Sequence, residues 1–344
     1  MIRFRKGRVA VAAASALLVA AGGAMVGAPA AQAVSTVRVG ITPNSVASLI
    51  YWLSKGGNGI FAQNGLQVTP TVFASATAGF AALAGDSIDI MYSNIPTGIA
   101  ARVNGDMDIK IIAPSDGMSR RDVARAKTDP VFAGLVDQAS ICTNPASGIN
   151  SWKDLAGKKI GASSRNGSSE VGMVDAMVKE GADYKGIQWA VMPPAALVSA
   201  LTTGKLDAIL TGTPFIEQCV AGGGIDKFQP TLALVPDGGP IVVYWAKSSW
   251  IAANPTVVKA FQKSIYQAAT ASRNKANMRA IMTAGSELTK TPLEVMLAGK
   301  PPYYWPTMTS ADLSVMLDKM VKYGYTKRAA NAAEMLIAQY KPGS

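Results

Sequence analysis

Val37-Arg38-Val39-Gly40-Ile41-Thr42, running on to Ile88-Asp89-Ile90-Met91, is echoed later in the chain by Lys158-Lys159-Ile160-Gly161-Ala162-Ser163, running on to Leu206-Asp207-Ala208-Ile209-Leu210. Each copy opens with a short apolar run and a glycine, then passes through a helix-like stretch to a second apolar run. Each then has a small-residue helix ending in Ala-Leu (Ala82-Leu83, Ala200-Leu201). In both copies an aliphatic-Asp pair follows that leucine at the same offset and begins the next strand. Short apolar runs alternating with helical periods read as βαβαβ units with mainly parallel strands. Two such units predict an α/β chain of two lobes, with the functional cleft between them.

The N-terminal stretch reads as an export signal. Arg3, Arg5, Lys6 and Arg8 form a basic region, residues 9–26 are apolar and uncharged, and Ala31-Gln32-Ala33 is a small-x-small cleavage site. Residues 1–33 are therefore expected to be removed. An uncleaved membrane anchor is the alternative, disfavoured by the Gly22-Gly23 break. No cysteine follows the signal, so no lipid-anchored N-terminus is expected, and the protein is placed in the periplasm or outside the cell.

Removing 33 of 344 residues leaves about 311, a length for two domains. The formal charge of +11 falls to about +7 without the four basic residues of the signal. The remaining basic residues are scattered singly, and no nucleic-acid-binding motif is present, so no nucleic-acid partner is expected. The chain has no histidine, which removes the Ser-His-Asp and Cys-His mechanisms and the commonest metal ligand. No catalytic residue, metal or cofactor is expected. Cys142 and Cys219 are the two cysteines; in an oxidising compartment they form a disulfide or remain two buried thiols.

Further elements follow from local pattern. A helix is expected over 46–62, with Gly56-Gly57 as its weak point. A strand over 66–73 precedes a helix capped by Ser75 or Thr77. A strand over 88–91 leads into a polar loop at Ser93-Asn94, a helix over 96–103 and a strand over 109–113. The pattern lapses between 114 and 130, where Arg120, Arg121, Arg125 and Lys127 alternate with Asp122 and Asp129. The second unit carries a helix over 168–180, capped by Ser168 or Ser169, a strand over 187–192, a helix over 194–201 and a strand over 206–210. Candidate strands at 231–235 and 241–245 return the chain to the first lobe. The remainder reads as helical. Asn254-Pro255 starts one helix, Thr291-Pro292 another, and Ser310 a third with Val315, Met316, Met320 and Tyr323 on its apolar stripe. The many methionines here read as core filler.

Ligands in open α/β sheets sit beyond the carboxyl ends of the strands. That rule selects loops 42–45, 74–77 and 93–94 in the first unit, and 163–169, 192–194 and 211–214 in the second. All are rich in hydroxyl, amide and glycine residues. Within 163–169 the free N–H groups of a helix start and the guanidinium of Arg165 favour a carboxylate or sulfonate. A surface arginine beside an ordinary cap is the plainer reading. Tyr51, Trp52, Phe73, Tyr92, Phe215, Tyr244 and Trp245 lie near the expected cleft, where each packs in the core or stacks on a ligand ring. Glu217 faces water or a ligand amine. Asp89 and Asp207 repeat between the units and read as structural.

Gly59-Ile60-Phe61-Ala62-Gln63-Asn64-Gly65-Leu66-Gln67-Val68 resembles the G-[IL]-F-x-x-x-G-L-x-V segment of type II periplasmic binding proteins for sulfonates, taurine, nitrate and thiamine precursors. Ala82-Leu83 through Ile88-Asp89-Ile90 is similar to that family's AL-x-x-G-x-[IV]-D segment. Trp152-Lys153-Asp154-Leu155-Ala156-Gly157-Lys158-Lys159-Ile160-Gly161 resembles its DL-x-G-K-x-[IV] entry to the second lobe. The resemblance runs from about 36 to 271. The stretch 117–135 is unusual for it and has no assigned role.

The resemblance implies a type II periplasmic-binding-protein fold: two βαβαβ lobes joined by a two-strand hinge, with a helical C-terminal part. Lobe I would comprise 34–115 plus 241–344, and lobe II 116–240. It implies a monomeric solute-binding protein of an ABC importer, closing on a small molecule and delivering it to membrane permease subunits. Ligand contacts would come from Thr42, Asn44, Ser75, Thr77, Ser93 and Asn94 in lobe I. In lobe II they would come from Ser163, Ser164, Arg165, Thr211 and Thr213, with Ser168 at the helix start. The expected ligand is a sulfonate or other small anion, with a neutral or cationic aromatic ring such as a pyrimidine-type vitamin precursor as the alternative. Arg165→Ala is then expected to weaken an anion by about 1.5–3 kcal/mol. A bilobed sensory module is the rival function. Enzymes of the same fold need histidine or a reactive cysteine that this chain does not place in its cleft loops.

Overall fold

The computed structural model describes residues 34–343, and each repeated unit builds a five-stranded sheet. The expected export signal at 1–33 lies outside the described residues. In chain order the strands are β1 (Ser35–Ile41), β2 (Leu66–Val72), β3 (Ile90–Asn94), β4 (Ile109–Pro114), β5 (Asp116–Met118), β6 (Ala139–Thr143) and β7 (Lys159–Ala162). They continue as β8 (Gln188–Val191), β9 (Ala208–Gly212), β10 (Ile225–Phe228), β11 (Gly239–Pro240), β12 (Val242–Lys247) and β13 (Tyr303–Tyr304).

The first sheet has the order β2-β1-β3-β12-β4, and the second, from its corresponding edge, β8-β7-β9-β6-β10. β1 pairs in parallel with β2 and β3, as β7 does with β8 and β9. The fourth strand, β12 or β6, is antiparallel to both its neighbours. Four strands of each sheet therefore run one way and one opposes them, giving two α/β lobes of the same design. The repeated aspartates do the same work in each. Asp89 accepts the backbone N–H of Arg38 at 2.8 Å, and Asp207 that of Lys159 at 2.8 Å. Each carboxylate thus fixes the start of a third strand against the first.

Two crossings join the sheets. β5 leaves the first and β11 returns to it; they pair antiparallel, and β13 completes a small sheet on the other side of β5. Cys142 and Cys219 form a disulfide between β6 and the helix Phe215–Ala221, which decides between the two alternatives left open by sequence. Three buried clusters make the core. The largest surrounds the first sheet, and the second and third lie on either face of the second sheet.

Several local expectations are corrected. The helix expected over 46–62 is broken, because Gly56, Asn58 and Gly59 take positive φ between the helices Ser48–Ser54 and Ile60–Gln63. A side chain at Gly57 would collide with the Trp52 indole. The segment expected as a strand at 231–235 is the helix Pro230–Leu234, started by its proline and packed against the helix Ser168–Lys179. Asn254 precedes the helix Pro255–Ala271, but its amide donates to Trp250 O at 2.9 Å instead of capping. On the helix Ala311–Lys322 the buried face is Leu313, Met316, Leu317 and Met320; Val315 falls off that i, i+3, i+4, i+7 stripe and is exposed. Met282, Met296, Met308, Met316 and Met320 are buried, as core filler should be.

The C-terminal helix is tied to the second lobe by a charged network. Lys319 bonds the carbonyls of Ala233 and Leu234 and sits 2.9 Å from Asp175, while the Tyr323 hydroxyl donates to Asp175 at 2.6 Å. Asp175 is held below the usual carboxylate range by hydrogen bonds from Lys179, Tyr323 and Lys319, which outweigh the opposing effect of burial.

Candidate functional site

The loops at the carboxyl ends of β1, β2 and β3 converge with those of β7, β8 and β9 on one cavity of about 270 Å³. Its rim includes a direct link between the two sets, a hydrogen bond from Ser45 N to Thr213 O at 3.4 Å. Of the twelve residues expected at the site, Thr42, Asn44, Ser75, Ser93, Asn94, Ser163, Ser164, Ser168, Thr211 and Thr213 line this cavity. Thr77 and Arg165 do not.

Local structure explains these positions. Ser75, not Thr77, caps the helix Ala76–Ala84, accepting Ala78 N at 3.3 Å, so Ser75 is kept at the strand end while Thr77 falls inside the first turn and is exposed. Ser93 and Asn94 belong to β3 rather than to a loop. Asn94 caps the helix Ile95–Asn104, accepting Thr97 N at 3.0 Å. In the second unit the helix Ser168–Lys179 begins after Gly167 with no side-chain cap, which corrects the expectation for Ser168 or Ser169. The Ser168 hydroxyl is buried in the cavity wall and has no hydrogen-bond partner within the protein.

Arg165 is occupied elsewhere. Its guanidinium makes two bonds to Glu170, at 3.0 and 2.8 Å, and stacks over the Trp189 ring at 4.0 Å. Asn166 N also donates to Glu170 at 2.7 Å. Two carboxyl oxygens in front of a fork-shaped guanidinium make a bidentate pair. The residue on which the anion expectation rested thus does not line the cavity and is paired with an acid.

The cavity's charged side chains are Asp116, Asp137 and Glu170, and among the described residues no lysine or arginine lines it; Lys300, whose charge is felt by Asp137, is paired with Asp226 at 3.1 Å. Asp137 accepts bonds from the Thr231 hydroxyl, Leu232 N at 2.8 Å and Ala139 N at 2.9 Å; burial still pushes its carboxyl upward. Asp116, on the crossing strand β5, accepts a long bond from the Tyr92 hydroxyl at 3.3 Å and one from its own backbone N–H, and burial raises its carboxyl to about 7. Gln138 donates its amide to Lys300 O at 3.0 Å, which leaves its Oε1 without a partner. Ser93 Oγ is likewise unpartnered. Buried polar atoms normally find a partner, so this concentration around one cavity marks a place where a ligand supplies the missing bonds.

Among the aromatic residues singled out by sequence, Phe215 lines the cavity. Tyr92, Tyr244 and Trp245 are buried in the core and do not line it, and the Tyr92 and Tyr244 rings meet tilted, with centroids 5.7 Å apart. Glu217 accepts from Thr213 at 3.1 Å and does not line the cavity. Asp116, Asp137, Gln138 and Glu170 were not foreseen. Asp116 follows β4 directly, so the strand-end rule, applied to that strand, selects it. The others had no local signal.

Residues 30–285 match the model of the NMT1-like family. Among solved structures, the alkanesulfonate-binding protein SsuA from Xanthomonas axonopodis pv. citri, bound to MOPS, superposes with a TM-score of 0.70 at 14% identity, over 89% of this chain and 99% of that one. The periplasmic nitrate-binding protein NrtA from Synechocystis PCC 6803 gives 0.65 at 16% identity, over 87% and 84%. The desulfurization enzyme DSZB gives 0.59 at 10%, over 88% and 96%. No match is found among curated protein sequences. At these identities the structural likeness shows a shared fold, that of periplasmic binding proteins.

Proposed function

The chain belongs to the NMT1-like family, and from that premise we propose that it is an extracytoplasmic solute-binding protein that captures a small organic molecule between its two lobes and hands it to the permease of an ABC importer. The observation that carries this is the cavity itself. Strand-end loops from both sheets line it, and three of its polar atoms (Ser93 Oγ, Gln138 Oε1, Ser168 Oγ) have no partner within the protein. We assign lobe I to 34–115 plus 241–344 and lobe II to 116–240, with β5 and β11 as the hinge. A ligand touching both lobes would favour the closed arrangement by its differential affinity. The protein would act as a monomer, without nucleic acid. The two structural neighbours named for sulfonate and nitrate supply the precedent for a small solute.

An enzymatic reading has one neighbour behind it, the desulfurization enzyme. In this chain both cysteines are joined in a disulfide, and neither they nor any histidine line the cavity. Cysteine or histidine catalysis there has no residue to perform it.

The test is a thermal-unfolding screen of the purified protein against sulfonates, taurine, nitrate, carboxylates, amines, aromatic acids and pyrimidines. A ligand at a hundred times its dissociation constant stabilises by about 2.7 kcal/mol, a shift of several degrees. The shift should disappear in Ser75→Trp, which fills the cavity from its first-lobe side. A shift that survives this substitution places the ligand elsewhere and refutes the assignment.

A further inference from the structure

We propose that the cleft takes a small organic ammonium ion, with the Asp116 carboxylate as its counter-charge; this rests on the solute-binding reading and names its ligand class. Three features of the cavity wall point the same way.

The first is charge. The wall presents carboxylates and no lysine or arginine. Glu170 is matched by Arg165 and Asn166, and Asp137 by three protein donors, so both are structural. Asp116 is the carboxylate with the weakest support: a 3.3 Å bond from Tyr92 and one from its own backbone N–H, with no cation paired to it among the described residues. An anion placed beside it would meet like charge at a desolvated position with no cation to offset the cost. An ammonium ion would complete it.

The second feature is the direction of the remaining polar groups. Gln138 Nε2 donates to a backbone carbonyl, which only accepts, so the amide cannot be turned round and its Oε1 is an acceptor. Ser93 and Ser168, both more than nine-tenths buried, add hydroxyls without partners, which accept as well as donate. The wall therefore has one fixed acceptor and two adaptable hydroxyls to receive the N–H groups of an ammonium ion.

The third feature is the setting of Asp116. The groups nearest it are Tyr92 on β3, Tyr244 on β12 and Tyr304 on β13, all buried and all pushed above the ordinary tyrosine range. They stay neutral near pH 7, whereas Asp116, raised to about 7, ionises there. Between pH 6 and pH 8 its charged fraction rises from about one-tenth to nine-tenths.

The experiment uses charge-matched pairs: propylammonium with propane-1-sulfonate, benzylammonium with benzenesulfonate, and choline with 2-hydroxyethanesulfonate. Each is tested by thermal unfolding and calorimetry at pH 6 and pH 8, on the wild-type protein and Asp116→Asn. The expected result is stabilisation by an ammonium member and not by its sulfonate partner, with affinity about tenfold tighter at pH 8. Asp116→Asn should weaken that binding at least tenfold and abolish its pH dependence. Asp137 and Glu170 are present in both proteins, so the comparison isolates Asp116. The ligand-free midpoint of the variant shows whether it folds.

A sulfonate that binds more tightly than its ammonium partner, or ammonium binding untouched by Asp116→Asn, overturns the assignment while leaving a solute-binding cleft in place. Stabilisation by no member overturns the assignment as well, and the solute-binding reading is then decided by the wider screen and Ser75→Trp.

Discussion

Replacing Ser168 by alanine should make the ligand-free protein more stable and the ligand weaker. Ser168 is the first residue of its helix, 6% exposed, and its hydroxyl has no partner within the protein. A buried hydroxyl without a partner costs about 1–3 kcal/mol, and alanine removes the group without changing the backbone. Taking the lower end, because the cavity side of the residue is not sealed, the gain is about 1 kcal/mol. For a chain of this size that is about 2 °C in the unfolding midpoint. If the hydroxyl bonds the ligand, its loss costs about 1 kcal/mol of affinity, or about fivefold in the dissociation constant. Thermal unfolding without ligand gives the first quantity. Calorimetry with the tightest-binding compound of the screen gives the second. Opposite signs are the mark of a group held unsatisfied for binding. A midpoint that falls by 2 °C with affinity unchanged would refute the reasoning, since the hydroxyl would then be serving the free protein.

Replacing both Cys142 and Cys219 by serine opens a link across 77 residues of sequence, which in the chain-entropy account costs about 4 kcal/mol; urea unfolding of both forms measures it, and a loss below 1 kcal/mol counts against that account. Asp116 has a carboxyl raised in the folded state to about 7, so its contribution is full at low pH and is lost as pH rises from about 4 through 7. Asp116→Asn should therefore match wild type in stability near pH 4 and exceed it at pH 8 by up to about 4 kcal/mol; equal stabilities throughout would show that the carboxyl is not raised. Arg165→Ala should lower stability by about 1–3 kcal/mol, because it strands the buried Glu170, and should change ligand affinity less than threefold. A large affinity loss at unchanged stability would restore Arg165 to the site.

The strands and most of the helices were legible because their cues are local. The apolar runs of β1, β2, β4 and β7 lie within a residue or two of their expected bounds. Two readings went astray for different reasons. The helix over 46–62 breaks because Gly56, Asn58 and Gly59 take positive φ, with Trp52 packed over Gly57. The segment at 231–235 folds as a helix after Pro230 and lies against the helix Ser168–Lys179, with Thr231 held by Asp137. For the cavity, the strand-end rule selected the loops that hold ten of its lining residues, since chain direction in a parallel sheet determines which loops share an edge, and the family resemblance named those residues within them.

By itself, then, the sequence determined the duplicated α/β architecture, the edge at which the cleft forms and the hydroxyl-rich loops that line it. Periodicity and repetition carry that information within a few dozen residues. Only the tertiary structure decided the character of the cleft. Arg165 stood in a cleft loop in the sequence, yet folding turns it onto Glu170 and Trp189. Asp116 lay where the sequence pattern lapses, after 114, yet folding brings it to the cavity wall, where no lysine or arginine lines the cavity among the described residues. Glu170 lies only five residues from Arg165, but whether that arginine turns to it or to the cleft, and whether Asp116 meets a cation, depends on how the side chains are placed in three dimensions, which the pattern of residue types does not specify.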